Sequence, residues 1–398
     1  MIRQRHVIER PLSPEFLLVA ACCRWPLSAD AIAAIRAAGN VALDWPYVLQ
    51  VVRRHRVFGL VHHALISAGI DAPSAVAHKL AARAKDIAGR NMLLTRETIR
   101  LQHELEAAQI RVVVLKGIAL AQLAYGSHEL KQTLDIDLLV SPDSAVAALQ
   151  LLERDGFRLV SPAEHLNDEQ RRMLVRFGKD VELIHRDSKV RVDLLWQLAA
   201  NPLLLQGVNE HSSTQRVVLD GEVSIRTLRD EDLFAYLTVH GACHAWTRLK
   251  WLADFNALIA QRDVAEIERL YRHAQARSAG FCAGQALLLC HRLLALKLPA
   301  ALVGELQANR RVQSLVAIAL RAMARPNAAS NRGMADVIRS VLTQFLLGKG
   351  WAFFTAQCRI ASVGLADVVR VPLPASLHFL YPILRLPLWL WRRTKRVN

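Results

Sequence analysis

Apolar side chains recur at helical spacing from Pro14 to about Gln109. Three residues of the kinds that begin helices or turns punctuate this stretch, namely Ser28, Asp44 and Ser74. The segment from Val76 to Ala108 has no proline and only one glycine, Gly89, so it predicts one or two long helices. We therefore expect a helical N-terminal region that packs against a sheet formed by the residues after it.

From Ile110 onward, short β-branched segments replace the helical pattern. Gly117 begins a helical stretch, Pro142 opens another, and Gly156 ends it. The residues Arg186-Asp187-Ser188 have the composition of a hairpin turn. The elements predicted here are a strand at 110–115, a helix at 117–125, a strand at 136–140, a helix at 142–154, and strands at 181–185 and 189–196.

Helical periodicity returns at Arg229 and continues to about Phe354, with breaks at Pro299, Pro326 and Gly348. The expected fold class is therefore α+β, with a small mixed-sheet core flanked by N- and C-terminal helical regions. The expected parts are an N-terminal helical region at 1–109, an α/β core at 110–228, a C-terminal helical domain at 229–355 and an amphipathic basic tail at 356–398.

The composition is that of a folded globular protein, because 53% of the 398 residues are hydrophobic and 22% are charged. The six cysteines form no CxxC pair, which favours reduced thiols in a cytoplasmic protein over a disulfide framework. No window reaches the roughly 18 to 20 uninterrupted apolar residues that a membrane-spanning helix needs. We expect no transmembrane segment, and no cleavable secretion signal at the basic N-terminus.

The net charge of +16 comes mainly from arginines spread along the whole chain. It is compatible with nucleic acid, anionic lipid or a phosphate-rich substrate, and equally with a solvated basic surface that has no dedicated partner. A denser basic and aromatic stretch runs from Leu380 to Arg396. This stretch fits peripheral contact with the inner face of the membrane, a terminal helix docked on the protein, or contact with a partner protein.

Two aspartates at the start of the strand predicted at 136–140 mark the main candidate site. Asp135 and Asp137 flank Ile136, and because strand side chains alternate between faces, both carboxylates point to the same side. Adjacent like charges are costly unless a cation lies between them, and Mg²⁺ prefers carboxylate and phosphate oxygens as ligands. The alternative is an exposed strand end whose charges only discourage aggregation.

A third carboxylate, Asp193, lies in the strand predicted at 189–196, on the face opposite Val192. Three carboxylates suit two divalent ions, Mg²⁺ or Mn²⁺, which together activate a hydroxyl group and orient a triphosphate. Upstream, Lys116 and Gly117 stand where a strand gives way to a helix. The glycine would let the backbone approach phosphate, and the lysine would add a positive charge.

These motifs follow one another in an order that resembles a known family. The motifs are Leu115-Lys116-Gly117, Asp135-Ile136-Asp137, Asp193-Leu194-Leu195-Trp196 and the stretch from His240 to Asp254. They resemble the uncharacterised nucleotidyltransferase family of the DNA polymerase β superfamily. The resemblance implies a polymerase-β-like core that binds a nucleoside triphosphate (NTP) such as ATP and transfers its monophosphate to an acceptor hydroxyl or phosphate. The implied acceptor is a small molecule, a sugar or a modified peptide, with a toxin-like transferase acting on tRNA as an alternative.

By the same resemblance, Asp135, Asp137 and Asp193 are the expected catalytic residues and hold both metal ions. The implied nucleotide and phosphate contacts come from Leu115, Lys116, Gly117, Lys131, His240, Arg248, Lys250 and Asp254. The chain departs from the family, which usually has arginine at Lys131, glycine or serine at Leu134, glutamate at Asp193 and histidine at Leu195. These departures keep open a second interpretation, a catalytically reduced nucleotide-binding scaffold.

A single helix is expected to contain the motif from His240 to Asp254, with His240 and His244 one turn apart. That spacing can bind zinc, although contact with the triphosphate or base, or packing against the sheet, are the other interpretations. Glu182 and His185, in the predicted hairpin, are further candidates.

Overall fold

A computed structural model of the protein describes residues 12–160, 166–220, 223–325, 334–371 and 373–384. The chain divides into two compact units, each assembled from three separate stretches of sequence. Unit 1 comprises Met1–Met92, Leu120–Gln132 and Leu237–Leu347, and unit 2 comprises Leu93–Ala119, Thr133–Tyr236 and Gly348–Asn398. The four-part organisation drawn from the sequence stays a prediction.

Helices dominate the described part of the N-terminal region, residues 12–109, which confirms the periodicity-based prediction. They are α1 (Pro14–Ala21), α2 (Ala29–Gly39), α3 (Trp45–His55), α4 (Phe58–Ala68) and α5 (Ser74–Ala107). The hydroxyl of Ser28 accepts the backbone N–H of Ala31, and the carboxylate of Asp44 accepts that of Tyr47. Both residues therefore cap the helices that follow them.

A five-stranded mixed sheet forms the centre of unit 2. Its strands are β1 (Val113–Val114), β2 (Ile136–Leu139), β3 (Phe157–Leu159), β4 (Asp180–His185) and β5 (Arg191–Leu195), in the order β1-β2-β5-β4-β3. Strands β2 and β5 are parallel, whereas the other neighbouring pairs are antiparallel. The helices along this part of the chain are α6 (Gly117–Tyr125), α7 (Ala145–Arg154) and α8 (Asp168–Phe177). The predicted strands at 136–140, 181–185 and 189–196 are confirmed.

Several elements of unit 2 were not predicted from the sequence. Strand β3 has three residues, which are too few to show alternation. The strand predicted at 110–115 is shorter than expected, because only Val113 and Val114, which form β1, pair with β2. Strands β6 (Thr214–Asp220) and β7 (Val223–Leu228) form a separate antiparallel pair. Val218 and Val223 are apolar but exposed on this pair, which obscures the alternation from which a strand is inferred.

The helices from Asp230 onward belong mostly to unit 1. They are α9 (Asp230–Cys243), α10 (Leu249–Ile259), α11 (Val264–Ala276), α12 (Gly280–Leu294), α13 (Ala300–Ala308), α14 (Arg310–Met323) and α15 (Met334–Gln344). Helix α12 packs against α1, α10, α11, α13 and α14, and its residues from Cys282 to Cys290 are all buried. It is therefore the central helix of this unit, and the predicted break at Pro299 is confirmed.

The C-terminal part of unit 2 contains α16 (Gly350–Ser362) and α17 (Leu365–Arg370). Helix α17 packs on α8, where Val368 and Tyr381 form an apolar cluster with Met173. The beginning of the basic and aromatic stretch is thus docked on the protein, as one of its three interpretations predicted. Residues 385–398, which include the rest of that stretch, lie outside the described residues, and membrane contact stays a prediction. Among the described helices, none is both long enough and apolar enough to cross a bilayer.

Candidate functional site

Two of the three candidate carboxylates face one another across neighbouring parallel strands. Asp137 on β2 is the register partner of Asp193 on β5, so their side chains project from the same face of the sheet. Asp137 is only 2% exposed, and the flanking Ile136 and Leu138 are also buried. Asp135 lies two residues before Asp137, immediately before β2. The fold therefore brings the predicted acidic residues together.

The pKa of Asp193 is shifted by its burial and by the carboxylates around it. Burial, followed by the negative charges of Asp137 and Asp135, raises the pKa of Asp193 to about 8, against the opposing effect of Lys116. Like charges gathered in a partly buried place favour the protonated form of one of them. The same repulsion makes this group attractive to a cation.

A lysine already supplies positive charge at this place. The Nζ atom of Lys116 lies 2.5 Å from Oδ1 of Asp137, with side chains 15% and 2% exposed. Burial by itself lowers the pKa of Lys116, but Asp137, Tyr236 and Asp135 more than offset that effect and raise it. Lys116 therefore stays charged and neutralises Asp137, which is a role that the sequence alone did not indicate.

Gly117 lies where two segments of the chain pass close to each other, so a residue with a side chain would not fit easily. Its φ angle is +58°, a left-handed conformation that glycine adopts without steric cost. A β-carbon at this position would lie 3.2 Å from the carbonyl oxygen of Asp135 and 3.4 Å from the Thr133 methyl group. The backbone N–H of Leu115 donates to the Asp137 carbonyl at 3.1 Å. These contacts hold Lys116 beside the start of β2.

Sequence reasoning missed two members of this group, Asp180 and Tyr236. Asp180 begins β4 and adds to the negative charge that raises the pKa of Asp193. Tyr236 is buried on α9, and burial raises the pKa of its hydroxyl, while Lys116 lowers it. Tyr236 occurs in a helix that is buried on nearly every side, so periodicity does not distinguish it from the core residues around it.

The two further hairpin candidates have structural partners. Glu182 is the register partner of Asp193 across β4 and β5, and it forms an ion pair with Arg191. Nδ1 of His185 accepts the backbone N–H groups of Asp187 and Ser188, each at 3.2 Å. His185 therefore stabilises the hairpin turn.

The chemistry of the acidic group fits a divalent cation. In the described part of the chain, no group of three or more His, Cys, Asp and Glu side chains is arranged to hold a metal ion. Mg²⁺ typically takes only one or two protein carboxylates and completes its shell with phosphate and water oxygens. Asp137 with Asp135 or Asp193 meets that requirement, and the Lys116 ammonium group is the positive charge now beside Asp137.

Five other predicted site residues lie in unit 1, and two of them pair with each other. Lys131 Nζ is 3.4 Å from Oδ2 of Asp254, and both side chains are 6% exposed. The hydroxyl of Tyr125 donates to Oδ1 of Asp254 at 2.9 Å. Asn91 donates to the Lys131 carbonyl at 2.7 Å. This buried network fixes the segment after α6, and nucleotide contact by Lys131 and Asp254 stays a prediction.

The prediction of one continuous helix from His240 to Asp254 is wrong. Helix α9 ends at Cys243 and α10 begins at Leu249, so His244 lies in the connection. Ala245 and Trp246 have φ angles of 48° and 46°, a left-handed conformation that costs a non-glycine residue about 1 kcal/mol. Trp246 is fully buried, with its ring packed against Gly241 of α9. Helical periodicity gives no sign of this turn.

The turn leaves a group of aromatic and basic side chains at its surface, hereafter the His–Trp stack: His240, His244, Arg248 and Trp251. The His244 and Trp251 rings are stacked, with centroids 4.9 Å apart and an interplanar angle of 25°. His240 meets His244 edge to face at 4.7 Å. The Arg248 guanidinium lies over the Trp251 ring, 5.9 Å from its centroid. Lys250 donates to the Gln132 carbonyl at 3.5 Å.

His55 connects α3 to the start of α10 and makes folding sensitive to acid. Its Nδ1 accepts the backbone N–H of Leu249 at 2.9 Å, which requires a neutral ring. Burial, with the nearby charge of Arg54, lowers the pKa of His55 to about 3. The folded state therefore excludes a proton that the unfolded chain binds below about pH 6.5, so stability falls as pH falls.

We expect the wild type to lose about 2 kcal/mol more unfolding free energy than His55→Asn between about pH 7 and pH 5. Asparagine keeps an acceptor near the position of Nδ1 but does not titrate. Urea denaturation of both proteins at the two pH values measures the difference. Parallel losses in the two proteins would show that His55 is not the group responsible.

Comparison with known families agrees with this architecture. The α+β fold and its small mixed sheet are consistent with the nucleotidyltransferase class of protein. The model of a family described as uncharacterised nucleotidyltransferases matches residues 42–295, and the chain belongs to that family. The resemblance inferred from the order of the motifs is thereby confirmed. Comparison with curated proteins found none that matches this chain.

Proposed function

We propose that this protein transfers a nucleoside monophosphate from an NTP to a hydroxyl or phosphate group of an acceptor, using Mg²⁺ or Mn²⁺. The observation that supports it best is the alignment of Asp137 and Asp193 on adjacent parallel strands, with Asp135 two residues away. Packing of an apolar core does not by itself explain why two aspartates face each other on adjacent strands. Their mutual repulsion favours either protonation of one carboxylate or the approach of a cation.

The proposed roles follow from position. Asp135 and Asp137 would hold the metal ions, and Asp193 would assist at the acceptor side. Bound divalent cations lower the pKa of an attacking hydroxyl and neutralise a triphosphate. Lys116 would bind a phosphate oxygen of the NTP. Its ammonium group now pairs with Asp137 and would leave that carboxylate to do so. Leu115 and Gly117 hold Lys116 in place through their backbone contacts.

The sheet itself supports assignment to a polymerase-β-like core. Its acidic residues come from two strands that are adjacent in the sheet but far apart in sequence, β2 and β5. An antiparallel hairpin, β4–β5, contributes the second strand. We include this core as part of the proposal.

A second candidate function is a nucleotide-binding scaffold with little or no transfer activity. The ion pair between Lys116 and Asp137 favours it, because an ammonium group that stays on the carboxylate would keep a cation away. The departures at Lys131, Leu134 and Leu195 are compatible with the same interpretation.

Incubation of the purified protein with each α-labelled NTP, Mg²⁺ or Mn²⁺ and fractions of cell lysate tests the proposal. We expect metal-dependent label to appear on one acceptor fraction. Treatment of the labelled product with ribonuclease then separates an RNA acceptor from a small molecule, a sugar or a peptide. NTP binding without label transfer in any fraction would favour the scaffold, and absence of both would contradict both candidates.

A further inference from the structure

We propose that the His–Trp stack is a binding surface for a nucleobase. This inference rests on the proposed function, since a nucleotidyltransferase must hold the base of its NTP or an unpaired base of its acceptor. His244 is exposed and lies nearly parallel to Trp251, at 4.9 Å between centroids. Nucleobases stack on aromatic rings and guanidinium planes whatever their identity. A base placed on His244 continues a stack that the protein itself begins.

The two tryptophans of this motif have different environments, and only one is used as core. Trp246 is fully buried, and a β-carbon at Gly241 would lie 2.3 Å from its ring atoms. Trp251 is partly exposed, and its neighbours in the stack are two histidines and an arginine. Apolar packing accounts for Trp246. It does not account for the two histidines and the arginine that contact the Trp251 ring.

The backbone places His244 on Trp251 at a cost in conformation. Two successive non-glycine residues, Ala245 and Trp246, adopt positive φ angles immediately after His244. Strain of this kind persists where the surrounding structure holds it, and it is concentrated at binding and catalytic sites. Here the Trp246 ring and the His55–Leu249 hydrogen bond hold the turn on both sides. A continuous helix would avoid the strain and would not form this turn.

The charge near the stack suits the rest of a nucleotide. Arg248 belongs to the stack, and Lys250 lies two residues further on. These cations complement the phosphate groups attached to a base, and the arginine adds a cation–π contribution to stacking. The ligand class is therefore an unpaired nucleotide, either a free NTP or a single-stranded RNA end.

Equilibrium binding in EDTA tests the stack separately from the acidic group. The probes are the four NTPs, inorganic tripolyphosphate and a short single-stranded RNA, titrated against the full chain. His244→Ala and Trp251→Ala are expected to weaken binding of the base-containing probe about tenfold, in the range seen for loss of one stacking partner. Trp251→Phe is expected to restore most of the affinity, because it keeps an aromatic face.

The chain offers matched controls. His78→Ala and Trp351→Ala remove an exposed histidine and an exposed tryptophan that are not members of the stack, and both are expected to bind like the wild type. Circular dichroism of each variant shows whether it folds, and His244→Ala, an exposed position, keeps the test valid if Trp251→Ala does not.

The outcomes separate the sources of the base. Weaker binding of NTPs assigns the stack to the nucleotide substrate, whereas weaker binding of RNA alone assigns it to the acceptor. Unchanged binding of both probes in His244→Ala, an equal loss for tripolyphosphate, or no binding of any probe by the wild type would each overturn the proposal. Failure of the proposed function has a different signature, namely no metal-dependent label transfer by a protein whose base binding still depends on His244.

Discussion

Asp137→Asn is expected to lower nucleotidyl transfer by about a thousandfold or more. Asp137 is the most deeply buried of the acidic group and faces Asp193 directly across β2 and β5. A metal site contributes several kcal/mol to the transition state, and each 1.36 kcal/mol corresponds to a tenfold change in rate. Asparagine keeps the shape of the side chain and can still accept a hydrogen bond from Lys116. Initial rates of label transfer from the preferred NTP measure the effect.

Asp187→Asn is the matched control for this substitution. Asp187 belongs to unit 2 but lies in the exposed turn between β4 and β5, so its removal is expected to leave the rate within about twofold of the wild type. Asp193→Asn provides a second variant on the neighbouring strand. More than a tenth of the wild-type rate in folded Asp137→Asn would contradict the metal-site assignment.

Lys116→Met is expected to lower the free energy of unfolding by about 3 kcal/mol in EDTA. Removing one partner of a buried ion pair leaves the other charge without compensation, and losses of this size are typical. In this protein the remaining Asp137 carboxylate would also face Asp193 without the ammonium group that neutralises it. Urea denaturation at neutral pH measures the loss, with the exposed Lys79→Met as the control.

Two further measurements distinguish the ion pair from a general packing effect. The double variant Lys116→Met/Asp137→Asn is expected to be more stable than Lys116→Met alone, because neither charge is left by itself. Millimolar Mg²⁺ is expected to stabilise Lys116→Met more than the wild type, since the cation then binds without displacing an ammonium group. Equal stabilisation of both proteins by Mg²⁺ would show that Lys116 does not compete with the metal.

Local patterns were sufficient for much of the fold. The helical spacing before Gln109 predicted a helical region, which the structure divides into α1 to α5, and β-branched alternation predicted β2, β4 and β5. Periodicity succeeded there because each element buries one face, so its own sequence reports its geometry. It failed for β3, which has three residues, and for β6 and β7, whose exposed valines hide the alternation.

The site shows the same division between local and long-range information. By itself the sequence determined that Asp135 and Asp137 share a face and that Lys116-Gly117 precedes them at a strand end, because alternation and turn chemistry depend only on neighbours along the chain. Only the tertiary structure decided the partners. It paired Lys116 with Asp137 and Lys131 with Asp254, and it broke the motif after His240 at a strained turn around Trp246. Burial and contact between distant residues set these choices, and no local pattern contains them.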